Sequence, residues 1–372
     1  MKCKLSEICE YRKGKVYVST LTCDTYISTE NMLANRGGIR QATSLPFIKQ
    51  TQEYKKGDVL VSNIRPYFKK IWIADRNGGC SNDVLVFKTK EEVDADFLYY
   101  ILSDDNFFDY SMITAKGTKM PRGDKKMIMQ YEVPQFNENQ QKKIAYILEL
   151  FDKKIKLNNK INNNLEQQAQ AIYQRMFIDN ASSDWEEGTL SDIADITMGQ
   201  SPSGSSYNED GNGTIFFQGR AEFGFRFPTV RLYTTEPKRM ACTNDTLMSV
   251  RAPVGDLNVA HTDCCIGRGL AAIHSKNNHQ SFVLYTMFSL KKQLDVFNGE
   301  GTVFGSINRI SLNDMPLIIP SSDKLDEFEA LVVPMDAAIR NNYDEICRLE
   351  QLRDSLLPKL MSGELDVSDI EL

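Results

Sequence analysis

Two stretches of this chain half its length apart match one another, so the fold has to be built twice. Shifting the sequence by about 185 residues brings matches into the same order. Leu5-Ser6-Glu7-Ile8 falls on Leu190-Ser191-Asp192-Ile193, and Gly57-Asp58-Val59-Leu60-Val61-Ser62 on Asn244-Asp245-Thr246-Leu247-Met248-Ser249. An Arg and a Pro follow each, Arg65-Pro66 and Arg251-Ala252-Pro253, and this reading pairs Arg65 with Arg251. Phe97-Leu98-Tyr99-Tyr100 falls on Phe282-Val283-Leu284-Tyr285, Lys116-Gly117-Thr118 on Glu300-Gly301-Thr302, Pro134 on Pro320, and Leu165-Glu166-Gln167 on Leu349-Glu350-Gln351. Each half mixes strand-like runs (Asp58 to Ser62, Lys70 to Ala74, Val84 to Phe87) with short helical ones (Ala95 to Ser103), punctuated by Gly, Asn and Ser. A long charged stretch of helical period closes each half.

The apolar positions of those closing stretches alternate in steps of four and three. In the first they are Ile144, Leu148, Phe151, Ile155, Asn158, Asn162, Leu165, Ala169, Ile172 and Met176. In the second they are Phe328, Val332, Met335, Ile339, Asn342, Ile346, Leu349, Arg353, Leu356 and Leu360. Sustained over several heptads, this spacing describes a coiled-coil seam. At about 1.5 Å per residue, about 35 residues reach roughly 50 Å, longer than a domain of this size is wide, which favours helix-on-helix pairing over packing on the helix's own block alone. Asn158, Asn162 and Asn342 lie inside the seams, where a buried amide needs a partner and can set register. Pro334 and Pro358 are expected to interrupt and kink the second helix.

The expected fold class is α+β: two mixed α/β globular blocks joined by two long antiparallel coiled-coil helices, with a pseudo-twofold internal repeat. The boundaries read as 1–137 and 181–322 for the blocks, and 138–180 and 323–372 for the helices. Pairing of this kind would make a dumbbell, its blocks spaced by the helices.

Composition narrows the function. The 372 residues are 41% hydrophobic and 25% charged, as in a folded protein. No uncharged apolar window reaches the about 18 residues of a membrane span, and the start has no apolar signal core, so no membrane and a cytoplasmic location are expected. The eight cysteines include no Cys-x-x-Cys pair, which disfavours zinc or thioredoxin-like chemistry and fits a reducing compartment. His261-Thr262-Asp263-Cys264-Cys265 lacks a second ligand pair, and adjacent cysteines in an apolar run read as strand. The net charge of −6 disfavours nucleic acid only superficially, because the basic excess lies in the first half and the acidic excess in the second. Gly199-Gln200-Ser201-Pro202-Ser203-Gly204-Ser205-Ser206 reads as a flexible surface loop; no Gly-Lys-Ser/Thr follows, which excludes a P-loop. There is no Asn-Pro-Pro-Tyr-like motif, no Gly-x-Gly loop after a strand, and only His261, His274 and His279 for histidine catalysis.

Leu349-Glu350-Gln351-Leu352-Arg353-Asp354-Ser355-Leu356-Leu357-Pro358-Lys359-Leu360-Met361-Ser362-Gly363-Glu364-Leu365 resembles the terminal conserved region of the specificity subunits of type I restriction-modification systems. Val133-Pro134-Gln135, Gln140-Gln141-Lys142-Lys143-Ile144-Ala145 and Leu165-Glu166 resemble that family's central region, with Gln140-Gln141 where Glu-Gln is usual. Gly199-Gln200-Ser201-Pro202 resembles an entry loop of its target recognition domains. The resemblance implies that each block reads one half of a bipartite, asymmetric site in double-stranded DNA. It implies that the helices act as ruler and as dock for two modification subunits, and that restriction subunits join the assembly. It further implies no catalytic residue, metal or cofactor in this chain, with S-adenosylmethionine, ATP and magnesium in the partners.

Phosphate and base contacts need Lys, Arg, amides and hydroxyls on exposed loops. The candidates are Arg65, Lys69, Lys70, Lys116, Thr118, Lys119 and Arg122 in the first block, with a solvated strand edge as the alternative for Lys69-Lys70. In the second they are Gln200, Ser203, Gln218, Arg220, Arg251, Arg268, Asn308 and Arg309. The rival functions are a coiled-coil scaffold with two ligand-binding heads and a standalone DNA-modifying enzyme with an unfamiliar site.

Overall fold

A computed structural model describes residues 2–299, 305–368 and 370. The chain forms two compact units, Met1–Leu157 with Asp344–Leu372, and Asn158–Tyr343. Each long helix, Glu138–Tyr173 and Ser322–Ser362, therefore contributes one stretch to each unit.

In the first unit, Lys2–Lys4 pairs antiparallel with Glu132–Pro134 and closes the block at its ends. An antiparallel sheet has the order Cys9–Tyr11, Val84–Thr89, Val59–Ser62, Ile71–Ile73. A second sheet has the order Lys15–Tyr17, Gln50–Tyr54, Gly78–Cys80, Tyr26–Ile27, its last pair parallel. In the second unit, Glu186–Thr189 pairs with Pro316–Ile319, and the antiparallel sheet runs Ala194–Met198, Leu270–Ser275, Thr246–Ser249, Leu257–Val259. Its second sheet has the order Tyr207–Asn208, Leu232–Thr234, Thr214–Phe217, Cys264–Ile266, Met240–Ala241, and again contains one parallel pair. The duplication is thus a duplication of topology. The units differ at the sheet edge: the first adds Lys15–Tyr17 beside Gln50–Tyr54, whereas the second adds two strands beside Thr214–Phe217.

The repeated sequence has a local reason. The Lys55 N–H donates to Asp58 Oδ2 and the Cys242 N–H to Asp245 Oδ2, each at 2.7 Å, closing the turn into the central strand. Gly57 and Asn244 take the left-handed conformation in that turn (φ 88° and 75°), one open to Gly and Asn but costly for most side chains. The Asp94 side chain accepts from the Phe97 N–H at 2.9 Å and starts the helix Ala95–Ser103, as the sequence led us to expect. The expected strands are also present, as Val59–Ser62, Ile71–Ile73 and Val84–Thr89. Cys264 and Cys265 are buried in a strand.

Every expected seam residue of both helices is buried or half-buried. Within each unit the stretches run antiparallel: Asp152 meets Arg353 and Lys154 meets Glu345 in the first, while Asn162 meets Asn342 and Tyr173 meets Phe328 in the second. The seam does more than pair helices. Ile144 and Leu148 share one core with Leu357 and Leu360 and with Phe97, Ile101 and Phe107 of the block; Phe328 and Val332 do so with Phe282, Tyr285 and Ile273. Packing on the block and packing on the partner helix are therefore combined.

The second helix runs through both prolines as one 41-residue element, where the sequence led us to expect an interruption. An interior proline costs about 3 kcal/mol through the lost hydrogen bond and clash. Val332 and Ile339 flank Pro334, and Leu357 and Leu360 flank Pro358; all four are buried, each contributing about 1.5–3 kcal/mol, which outweighs that cost.

Candidate nucleic-acid interface

In the first unit two loops meet. Ile64 and Lys116 both bridge to Arg122, and the Arg65 N–H donates to the Pro121 carbonyl at 2.9 Å. Lys116 and Arg122 exchange both backbone hydrogen bonds, at 2.9 and 3.0 Å, which closes the tip Gly117–Pro121 into a ring. Gly117 turns that tip with φ 92°. Thr118 and Lys119 are exposed on it, and Lys116 pairs with Asp124 at 2.7 Å while its side chain stays 82% exposed. Arg122 pairs with Asp83 at 3.1 Å, and Asp83 lines a polar cleft of about 330 Å³ with Ser28, Arg40, Gln41 and Ser81.

Arg65 and Lys69 bracket the turn Pro66–Phe68, both left-handed (φ 50° and 49°), and the Nε of Arg65 is buried without a hydrogen-bond partner among the described residues. Lys69 and Lys70 are engaged inside the unit. Lys69 pairs with Asp105 at 2.8 Å, beside Arg36 on the same carboxylate. Lys70 donates to the Thr29 carbonyl at 2.6 Å, and burial, with Arg40 nearby, lowers its affinity for a proton.

In the second unit, three backbones pack without side chains between them. A Cβ on Gly199 would lie 2.2 Å from the Gly267 carbonyl, and one on Gly267 would lie 2.9 Å from the Gln218 Cα. This contact gathers Gln200, Gln218 and Arg268: the Gln200 N–H donates to Ile266 at 3.0 Å, and the Arg268 N–H to Ser201 Oγ at 3.2 Å. Val250, next to Arg251, donates to Gly269 at 2.9 Å and so joins the cluster. Arg251 bridges to Ser306, beside Asn308, which caps the helix Arg309–Asn313 by accepting from the Ser311 N–H at 2.9 Å. Arg220 is paired with Asp256, which Lys291 also reaches at 3.2 Å. Ser203 lies exposed beside the turn Gly204–Ser206, whose Ser206 hydroxyl bonds Thr234 at 2.8 Å; the Gly/Ser segment is thus anchored, not a loose loop. Glu300-Gly301-Thr302 lies outside the described residues.

The backbone corrects one pairing. Asn63 accepts from the Gly123 N–H as Val250 does from Ile307, and Arg65 donates to Pro121 as Ala252 does to Gly305. Ile64 is therefore the counterpart of Arg251, and Arg65 that of Ala252. The Arg-Pro match is off by one because Pro66 and Pro253 align while the arginines before them do not. The shared bridge carries its arginine on opposite strands, as Ile64–Arg122 in one unit and Arg251–Ser306 in the other.

Asn158 and Asn162 are buried on the central helix, and Asn342 donates to Asn162 Oδ1 at 2.8 Å. Sequence reasoning missed two partly buried clusters on the long helices. In the first unit Tyr100 donates to Asp152 at 2.8 Å and Arg353 pairs with it at 2.7 Å. In the second Tyr285 donates to Asp336 at 2.9 Å, and Arg226 pairs with Asp336 at 3.2 Å and Glu166 at 3.0 Å. Burial and the carboxylate raise both tyrosines far above their usual range, so they remain donors. The signal was present: the matched segments align Tyr100 with Tyr285, and the helix repeat aligns Asp152 with Asp336.

The repeated framework, its divergent loops and its helical scaffold are those of a known family of DNA specificity domains. A family model described as the type I restriction modification DNA specificity domain matches residues 1–167 and 182–327. The putative type I restriction enzyme MjaX specificity subunit of Methanocaldococcus jannaschii is 30% identical over 307 residues, covering 77% of this chain and 72% of that protein. The HindI specificity subunit of Haemophilus influenzae is 22% identical, over 84% of this chain and 87% of its own. The crystal structure of the type I restriction-modification S subunit from M. genitalium has the same fold (TM-score 0.59, 17% identity, 99% of this chain and 96% of that one). The chain belongs to the type I restriction modification DNA specificity family. In a type I restriction enzyme, that makes it the non-catalytic subunit that confers DNA specificity. Among the described residues, no helix is long and apolar enough to cross a membrane.

Proposed function

We propose that each unit reads one half of a bipartite, asymmetric DNA site through the loops around the shared bridge. The observation that carries this is the bridge itself: a backbone junction shared by the two units, presenting Arg122 in one and Arg251 in the other, amid loops that otherwise differ. Arg65, Lys116, Thr118, Lys119 and Arg122 would face the first half-site, and Gln200, Gln218, Arg251, Arg268, Asn308 and Arg309 the second. Arg220 and Ser203 would contribute at its edge. Lys69 and Lys70 would act through the turn Pro66–Phe68 that they follow, since both are engaged within the unit. A cation on exposed backbone binds any phosphate; its place at a base edge supplies specificity.

The helix pair would serve as ruler and as dock for two modification subunits, with Asn158, Asn162 and Asn342 holding its register. Restriction subunits would complete the enzyme. S-adenosylmethionine, ATP and magnesium would belong to those partners. The test is reconstitution: purified chain, modification subunits, S-adenosylmethionine and duplex DNA should methylate adenine at one split motif. The chain alone should methylate nothing and bind DNA weakly. Methylation by the partners that ignores DNA sequence would favour a scaffold; methylation by the chain alone would favour a standalone enzyme.

A further inference from the structure

The hairpin closed by the Phe223–Pro228 bridge reaches both long helices, as does the helix Gln280–Ser289 through Tyr173 and Asp336. The hairpin's tip carries Arg226, whose side chain is only 4% exposed. Nη2 pairs with Glu166 of the central helix at 3.0 Å, and Nη1 with Asp336 of the C-terminal helix at 3.2 Å. Nη2 also donates to the Tyr285 hydroxyl at 3.1 Å, and Ser281 donates to the other oxygen of Asp336 at 2.8 Å. One guanidinium thus joins the block to both helices of its unit. Phe227 beside it is buried, its ring centroid 4.9 Å from that of Tyr343, and the Arg340 guanidinium lies over the Phe227 ring, 4.9 Å from its centroid.

A buried arginine between two carboxylates is costly to desolvate, and hydrophobic residues of similar volume could fill the same space. Adhesion alone does not call for this arrangement. Its geometric consequence is specific: a planar fork accepts partners only in fixed directions, so the block is held at one rotation on the helices. We infer that Arg226 is a positioning residue for DNA reading, fixing the angle at which the second block's loops meet the DNA. In the first unit the guanidinium comes from a helix and not from the block: Arg353 pairs with Asp152 at 2.7 Å, whereas Arg36, on the hairpin closed by Met32–Ile39, binds the Ser103 carbonyl at 2.7 Å and Asp105, within its own block.

The inference rests on the proposed half-site reading, and the experiment separates the two. The full chain is assembled with its modification subunits as wild type, Arg226→Met, and the triple variant Arg226→Met/Glu166→Gln/Asp336→Asn, which leaves no unpaired charge. Initial methylation rates are compared on duplexes carrying the intact site, single-base changes in either half, and spacers one base pair shorter or longer. For the triple variant, discrimination at one half-site and between spacers should fall about tenfold, with the other half-site within twofold of wild type. Arg226→Lys should not restore it, since an ammonium cannot form the fork. Wild-type discrimination at both halves in a folded triple variant would overturn the inference, as would equal loss at both. A wild-type complex that recognises no split site would sink the half-site reading instead.

Discussion

The two units solve one problem with different arginines. In both, a tyrosine from the block's helix donates to an aspartate on a long helix, Tyr100 to Asp152 and Tyr285 to Asp336. In the first unit the cation comes from the other long helix, as Arg353; in the second it comes from the block, as Arg226. The bridge shows the same freedom, with Arg122 on one strand in one unit and Arg251 on the other strand in its copy. After duplication, the carboxylate and the backbone junction kept their places, while the source of positive charge moved. A buried carboxylate needs a counter-charge but does not specify its origin.

The largest expected effect comes from stranding those carboxylates. Arg226→Ala should destabilise the second unit by about 3–5 kcal/mol, because two partly buried acids lose their partner, whereas Arg36→Ala should cost about 1 kcal/mol or less. Denaturant unfolding followed by a probe in each unit would read this; equal costs would break the comparison. Replacing Asn342 by Leu should cost about 1–3 kcal/mol by leaving the buried Asn162 amide unmatched, and replacing both by Leu should recover most of it. A double variant no more stable than the single would deny that the pair acts as a unit. Tyr285→Phe should cost about 2 kcal/mol and Tyr100→Phe about 1 kcal/mol, since the Tyr285 hydroxyl bonds both Arg226 and Asp336.

The smallest effect is a pH dependence confined to the first unit. Burial favours the protonated form of Asp105, but hydrogen bonds from Lys69 and Arg36 prevail and hold its carboxyl below the ordinary 3.8. A depressed folded-state value contributes stability above the unfolded value, and that stability is lost as pH falls through the folded one. Because the side chain is 57% exposed, the term should stay under about 1 kcal/mol. Asp105→Asn should flatten the stability profile of the first unit below about pH 4, and leave the second unaltered; an unchanged profile would remove the pair from the account.

The duplication, the seams and the helix Ala95–Ser103 were legible because period and repetition are local properties of sequence. The cation–carboxylate clusters were half legible: Tyr100 and Tyr285 sit in matched segments, but Arg226 and Arg353 have no matched counterparts to reveal them. The slip between Arg65 and Arg251 arose because a proline marks a turn strongly, while strand register is set by hydrogen bonds that sequence does not display. The glycine contacts that gather Gln200, Gln218 and Arg268 join segments far apart in the chain, so no local pattern could announce them.

The central claim is that each unit reads its own half-site at the shared bridge. Adenine methylation mapped genome-wide, in cells carrying the wild-type chain, Arg122→Ser or Arg251→Ser with active modification subunits, tests it most directly. The wild type should give one split motif; Arg122→Ser should relax one half of it and Arg251→Ser the other, each by about 1–3 kcal/mol of discrimination at the affected base. Relaxation of the same half by both variants, or an unchanged motif in both, would contradict it.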